Sequence, residues 1–225
     1  MLSTVKLSNI LFVDIETVPQ YPAFSEVPEP FNELWEKKSK MLRAENESPE
    51  SLYERAGIYA EFGKIVCISC GYYFSQEEFK TFSFAGDDEK EILSEFSKTV
   101  NSFCSGSEKQ LCAHNGKEFD FPYIARRMLI HGMNLPHILN TAGKKPWEVN
   151  HLDTMELWKF GDYKSYTSLV LLAAVLGIPS PKDDIDGSRV GEVYWKEKNI
   201  ERIAHYCEKD VQTIGAIMKK YKGFS

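Results

Sequence analysis

The stretch Ile10-Leu11-Phe12-Val13-Asp14-Ile15-Glu16-Thr17 decides how this chain folds. Four apolar residues in a row, bounded by polar ones, carry the signature of a buried strand. Side chains alternate along a strand, so Ile10, Phe12, Asp14 and Glu16 share one face. An apolar face therefore ends in two adjacent carboxylates, which repel each other and lose solvation when buried. No Lys or Arg lies within seven residues on either side. A metal ion is the economical counter-charge, and solvated acids at a strand end are the plain alternative.

Downstream of this strand, Pro19, Pro22, Pro28 and Pro30 break the chain, and a charged helical insert is expected at about 21–63. Pro49 marks the start of a second helix within it. Lys64–Phe74 and Phe79–Phe84 read as two strands of a meander. Asp87-Asp88-Glu89 opens an amphipathic helix through Val100, with Ile92, Leu93, Phe96 and Val100 at helical spacing. Gln110–Ala113 reads as a short strand and Val149–Asp153 as an extended piece. Helices are expected at Phe121–His131, Tyr166–Leu176 and Asn199–Tyr221. Strands first, then strands alternating with helices, predict an α/β fold: a mixed sheet flanked by helices, one domain over residues 1–225.

With 225 residues, 43% hydrophobic and 27% charged, the chain can bury a core without disulfides or a structural metal. Its longest apolar stretch, Ser168–Ile178, is too short for a membrane span, and the N-terminus lacks a secretory pattern. A cytoplasmic protein with no membrane partner is the expectation. The five scattered cysteines fit a reducing compartment. Cys67 and Cys70 form a CxxC, but on a strand an offset of three puts the thiols on opposite faces, and no second pair completes a zinc site. Cysteine is not expected to carry the function. The net charge of −6 is uneven: residues 1–122 balance at −9 and residues 123–225 at +3. A nucleic-acid partner would approach the second half, where the cations for phosphate lie.

Two further carboxylates stand where solvated ones do not belong. Around Asp210 the helical neighbours are Ile203, Tyr206, Cys207, Ile214 and Ile217, so this aspartate faces inward. Asp120 follows the turn Asn115-Gly116 and precedes Phe121-Pro122, a place that an ordinary helix N-cap also explains. Asp14, Glu16, Asp120 and Asp210 together form an all-oxygen set suited to Mg²⁺ or Mn²⁺. Two such ions make the clamp used in phosphoryl displacement. Asp153 ends an extended piece, as a cap or as support for the site. Asp184-Ile185-Asp186-Gly187 echoes a calcium loop but lacks its first and twelfth ligands. No Walker, zincin or nucleophile-elbow motif occurs, which removes those chemistries.

Val13-Asp14-Ile15-Glu16-Thr17, Asn115-Gly116-Lys117-Glu118-Phe119-Asp120 and Tyr206-Cys207-Glu208-Lys209-Asp210 resemble, in order, the three motifs of the DEDDy 3′–5′ exonucleases. Asn-Gly-x-x-Phe-Asp-x-Pro-Tyr is most similar to the proofreading domain of B-family DNA polymerases, and the resemblance spans residues 10–221. It implies a ribonuclease H-like mixed five-stranded sheet and metal-dependent 3′–5′ hydrolysis with two divalent ions, Mg²⁺ or Mn²⁺. In that pattern Asp14 bridges both ions, Glu16 and Asp210 complete one site, Asp120 holds the second ion and Tyr206 orients the attacking water. Thr17, Asn115 and Phe119 would hold the terminal nucleotide, and Arg126, Arg127, Lys144, Lys145 and Lys164 are candidates for phosphate contacts. The implied partner is single-stranded nucleic acid with a free 3′ end, DNA ahead of RNA, with a polymerase or repair protein as a compatible partner. An exoribonuclease, a small-oligonucleotide exonuclease or a non-catalytic binding subunit would share these motifs' fold. The chain has no polymerase domain, and the insert has no place in the family pattern. His205 also stands at the spacing of the sister HxxxxD motif. On a regular helix, however, Tyr206 lies about 40° from Asp210 and His205 about 140° away.

Overall fold

Five strands make one mixed sheet in the order β3-β2-β1-β4-β5: β1 Ile10–Pro19, β2 Gly63–Tyr73, β3 Phe79–Ala85, β4 Gln110–Ala113 and β5 Leu152–Asp153. The computed structural model describes residues 5–42, 47–106, 108–162, 164–179 and 185–223. The first three strands form an antiparallel meander, while β4 and β5 run parallel to β1. This is the expected ribonuclease H-like α/β sheet, with helices on both faces. The strand β1 is central because it is apolar on both sides. Leu11, Val13 and Ile15 pack under Ile92, Leu93 and Phe96 of α2 (Glu89–Phe103) and Ile124 and Met128 of α3 (Asp120–Ile130). Ile10 and Phe12 face Val211, Ile214 and Met218 of α7 (Ile200–Tyr221).

Local signals set the helix boundaries. The Asp88 carboxylate caps α2 by accepting from the Lys90 and Glu91 N–H groups, and Asn199 caps α7 by accepting from Arg202. The helix expected at Tyr166–Leu176 is shorter, α5 Leu169–Val175, because Ser168 caps it at Leu171. The extended piece contributes only two residues to the sheet, since Asp153 at once caps α4 (Thr154–Lys159). A one-turn α6 (Val190–Glu192) runs into a π-helical turn at Val193–Glu197, whose Tyr194 packs with Val18 and Val66. The pair Cys67 and Cys70 splits to opposite faces of β2, as alternation requires. Among the described residues no helix is long and apolar enough to cross a membrane.

The insert is less helical than expected. Its described residues hold one α-helix, α1 (Phe31–Ser39), and where Pro49 is expected to start a second there is a 3-10 helix at Tyr53–Ile58. Its order comes from burial: Trp35, fully buried, packs on Tyr53 and Phe62 and donates its indole N–H to the Pro49 carbonyl at 2.8 Å. Tyr123 of α3 ties the insert down by donating to the Gly57 carbonyl at 2.8 Å.

One expected nucleic-acid contact is a fold contact instead. Arg127 is 3% exposed, with Nε and Nη2 on the two Glu89 carboxylate oxygens at 2.8 and 2.5 Å and Nη1 on the Ala60 carbonyl at 2.8 Å. Three of its five N–H groups are spent inside and the side chain is buried against Glu89, which takes it away from any phosphate. Burial alone would push the Glu89 carboxyl up; Arg127, the Ile65 N–H and His131 hold it below the usual range. Removing one member of a buried pair strands the other, so Arg127→Met should lower unfolding stability by about 3–5 kcal/mol. Urea denaturation checks this, and an unchanged midpoint would count against it.

Candidate active site

The carboxylates of distant segments meet at one end of β1. Asp14 and Glu16 leave this strand on the face that Ile10 and Phe12 turn toward α7, and α7 brings Tyr206, Cys207 and Asp210 across them. On the other side, Asp120, the first residue of α3, accepts the Ile15 N–H at 3.1 Å through Oδ1. Asp120 is therefore no N-cap: Phe119 occupies that position without a capping bond. The strand pairing with β2 shifts register between Glu16 and Thr17. Such bulges bend a strand and re-aim the side chains beside it.

The structure brings a thiol into this group. Cys207 Sγ lies 3.3 Å from Asp14 Oδ2 and 3.4 Å from the Asp14 carbonyl. Ligand-type atoms of Asp14, Glu16 and Cys207 all fall within 4.8 Å of one another. Cys67 is the β2 partner of Glu16 and its free thiol lies in hydrogen-bond contact with that of Cys207, so two thiols stand beside the acids. Cysteine is thus part of the site, contrary to expectation; in the sequence the hint is Cys207 three residues before Asp210 on the same helical face.

The electrostatics are those of acids crowded together. Burial, then Asp120, Glu16 and Asp210, push the Asp14 carboxyl well above its ordinary range. Burial and Asp210 do the same to Glu16, and burial with Asp153 and Asp210 brings Asp120 up to about 7. Burial and the charge of Asp210 raise the Tyr206 hydroxyl, which hydrogen-bonds Asp210. Tyr206 is thus the group beside Asp210, while His205 is exposed. No cation is among the main influences on Asp14, Glu16 or Asp120. A hard divalent ion fits such a set, because it supplies the missing positive charge to acids that already press on one another, with an oxygen of Asp14 and one of Glu16 within 4.8 Å.

These shifts predict a pH effect. A carboxyl with a raised folded-state pKa holds its proton longer in the native state than in the unfolded one. The metal-free protein is therefore least burdened below about pH 4 and loses stability as pH rises toward about 7, where Asp120 ionises. Thermal unfolding in EDTA should show a falling midpoint over that window, with Mn²⁺ restoring it at pH 7. A flat profile in EDTA would remove the crowding argument.

The second motif is held by Asp153. This buried aspartate accepts the N–H groups of Asn115 (3.0 Å) and Lys117 (3.1 Å) as well as those of Met155 and Glu156 at the start of α4. It is both cap and clasp. Asn115 adopts φ +63°, and the next residue must be glycine because a Cβ on Gly116 would sit 2.2 Å from that of Ala113. The Asn115 Oδ1 is buried without a hydrogen-bond partner, so an acceptor waits beside the carboxylates. Thr17 lies against the Tyr123 hydroxyl, and Phe119 packs on the Tyr123 ring.

The cations sort differently. Lys164 is exposed on a segment joined to the end of β4 where the Thr167 carbonyl meets His114 Nε2 at 2.9 Å. Arg126 is exposed on α3, facing away from its buried side. Lys144 lies with Gln110 at the start of β4, the end away from the carboxylates, and Lys145 covers the Trp147 ring. Of the calcium-loop echo, Asp184 lies outside the described residues, and Asp186 caps a 3-10 turn through Ser188.

A family model described as a predicted 3′–5′ exonuclease related to the exonuclease domain of PolB matches residues 58–220. The match begins after β1, so it includes Asp120, Tyr206 and Asp210 but not Asp14 or Glu16. No curated protein matches the sequence. Among solved structures, the family B DNA polymerase of the hyperthermophilic archaeon Pyrobaculum calidifontis superposes with a TM-score of 0.55 at 16% identity, over 94% of this chain and 24% of the polymerase. E. coli exonuclease I, solved with a dT13 oligonucleotide, gives a TM-score of 0.48 at 11% identity, over 95% of this chain and 40% of its own. The chain thus spans about a quarter of the polymerase and less than half of the exonuclease.

Proposed function

Since this chain belongs to the family of predicted 3′–5′ exonucleases related to the exonuclease domain of PolB, we propose that it removes nucleotides from the 3′ end of single-stranded DNA with divalent metal ions in the DEDDy manner. The observation that carries this reading is the convergence of Asp14, Glu16, Asp120 and Asp210 with Tyr206 on Asp210. The relation to a DNA polymerase's exonuclease domain favours DNA over RNA.

The four carboxylates would hold the ions, Mg²⁺ or Mn²⁺, and the donor set of hard oxygens fits both. Bound ions supply charge stabilisation at the scissile phosphate and acidify a water. The protein's own groups do the rest. Tyr206, anchored by Asp210 and kept protonated by burial and acid neighbours, orients water through its hydroxyl. Asn115 offers its unpartnered Oδ1 to a donor on the terminal nucleotide, with Thr17 and Phe119 beside it. Asp153 holds the Asn115 loop in place, and Lys164 and Arg126 are the exposed cations for phosphates further along the strand. We read residues 1–225 as one exonuclease domain, with 21–63 as an insert packed on α3 through Gly57 and Tyr123.

Digestion of 5′-end-labelled single-stranded DNA and RNA, with Mn²⁺, Mg²⁺ or EDTA, tests this. The expected result is a ladder shortening from the 3′ end, DNA ahead of RNA, silent in EDTA. Full activity in EDTA, or early release of the 5′ label, would overturn it.

A further inference from the structure

A second built concavity lies at the other end of β4. Gln110 begins this strand at the cavity, while Asn115 and Asp120 follow its far end at the carboxylate site. At about 3.3 Å per residue the two ends stand roughly 10 Å or more apart. The cavity holds about 410 Å³, inside the range of small-molecule sites. Asn101, Ser105 and Thr141 give it neutral polar groups, His151 forms part of its wall, and Lys109 and Lys144 supply charge. None of the described residues lining it is acidic, although the whole chain carries −6.

Two features there are unfinished. His151 is 7% exposed, its ring packed 4.5 Å from that of Phe121, yet its Nε2 is buried with no hydrogen-bond partner. A buried unpaired polar atom is costly, and native proteins seldom leave one without a reason. Burial, with Lys117 and Lys144, pulls its pKa down to about 4, so the ring is neutral, with one nitrogen a donor and the other an acceptor. Lys144 is exposed, and among the described residues its ammonium has no ion pair or hydrogen bond. Lys109, by contrast, is spent on the Ser8 carbonyl and the Phe103 ring.

The larger depression beside Gln20 and Tyr21, about 560 Å³, lacks such features. Its three acids are already held: Glu89 by Arg127 and His131, Asp87 by the Tyr194 hydroxyl, and Asp88 by the N–H groups at the start of α2. It reads as the outer side of a finished ion-pair network.

We propose that the cavity walled by His151 and Lys144 is a second ligand site, separate from the carboxylate site, which takes a small organic phosphate. The phosphate sits on Lys144, the organic part fills the cavity against His151, and the side-chain amide and hydroxyls of Asn101, Ser105 and Thr141 meet its polar edges. A free inorganic phosphate would leave most of the volume empty.

The test is calorimetric titration of the full chain in EDTA with 2′-deoxyadenosine 5′-monophosphate, inorganic phosphate and 2′-deoxyadenosine, alongside NMR of the histidine rings. The monophosphate should bind at one saturable site and shift the His151 signals, and either fragment should bind at least about tenfold more weakly. Lys144→Ala should weaken it about tenfold or more, the scale of one charge-assisted contact. Ser105→Trp, at the exposed rim, should block it without touching the lysine, and Asp14→Asn should leave it unchanged. The proposal is overturned by absence of binding, by equal binding of inorganic phosphate, by indifference to both cavity variants, or by loss of binding in Asp14→Asn. None of these outcomes bears on exonuclease activity.

Discussion

Asp14→Asn and Asp210→Asn should each abolish 3′-end hydrolysis, with losses of about 10³-fold or more under saturating Mn²⁺, while the folded state survives. Each substitution keeps the side-chain shape and removes one negative charge from a crowded set. Asp14 is pressed by Asp120, Glu16 and Asp210, so its neutralisation relieves repulsion in the metal-free protein. The thermal midpoint in EDTA should therefore rise at pH 7, and the increment given by added Mn²⁺ should shrink. Lost activity with gained metal-free stability separates a metal site from a merely structural acid cluster. If both variants cut at the wild-type rate, the carboxylates are not the active site.

Tyr206→Phe should lower the turnover rate by about 10²–10⁴-fold, since it removes the hydroxyl proposed to position water while leaving the ring in its packing. The hydroxyl stands on Asp210, and the ring packs at the edge of the cluster of Val18, Cys67 and Ile203. His205→Ala should stay within a few-fold of wild type, because this side chain is exposed on the outer face of α7. Single-turnover kinetics at saturating DNA distinguish a slower chemical step from weaker binding. A dead His205→Ala beside a near-normal Tyr206→Phe would reassign the third motif to its histidine form.

Much of this site was legible because it is written in short-range periodicities. Alternation along β1 puts Asp14 and Glu16 on the face of Ile10 and Phe12, and the helical repeat puts Tyr206 beside Asp210. Both depend only on neighbours a few residues away. The helix α7 is equally local, with its Asn199 cap, its Lys219 and Lys220 end and its inward stripe. Motif order then implied the sheet, since an apolar strand ending in acids needs the other acids brought to its end.

What the chain alone left open depends on long-range pairing. Arg126 and Arg127 are adjacent and chemically identical in sequence; only the placement of Glu89, 38 residues away, draws Arg127 inside. Asp120 looked like a cap because any aspartate before a helix does, and its bond to the Ile15 N–H joins residues 105 apart. Cys207 and Cys67 became site residues only when α7 crossed β2. The insert's order rests on Trp35 finding Tyr53 and Phe62, not on helix propensity. Periodicity and local propensity determined the elements and the direction each side chain faces. Which faces meet was decided by packing and by the pairing of buried charge, whose energy depends on neighbours that no local window contains.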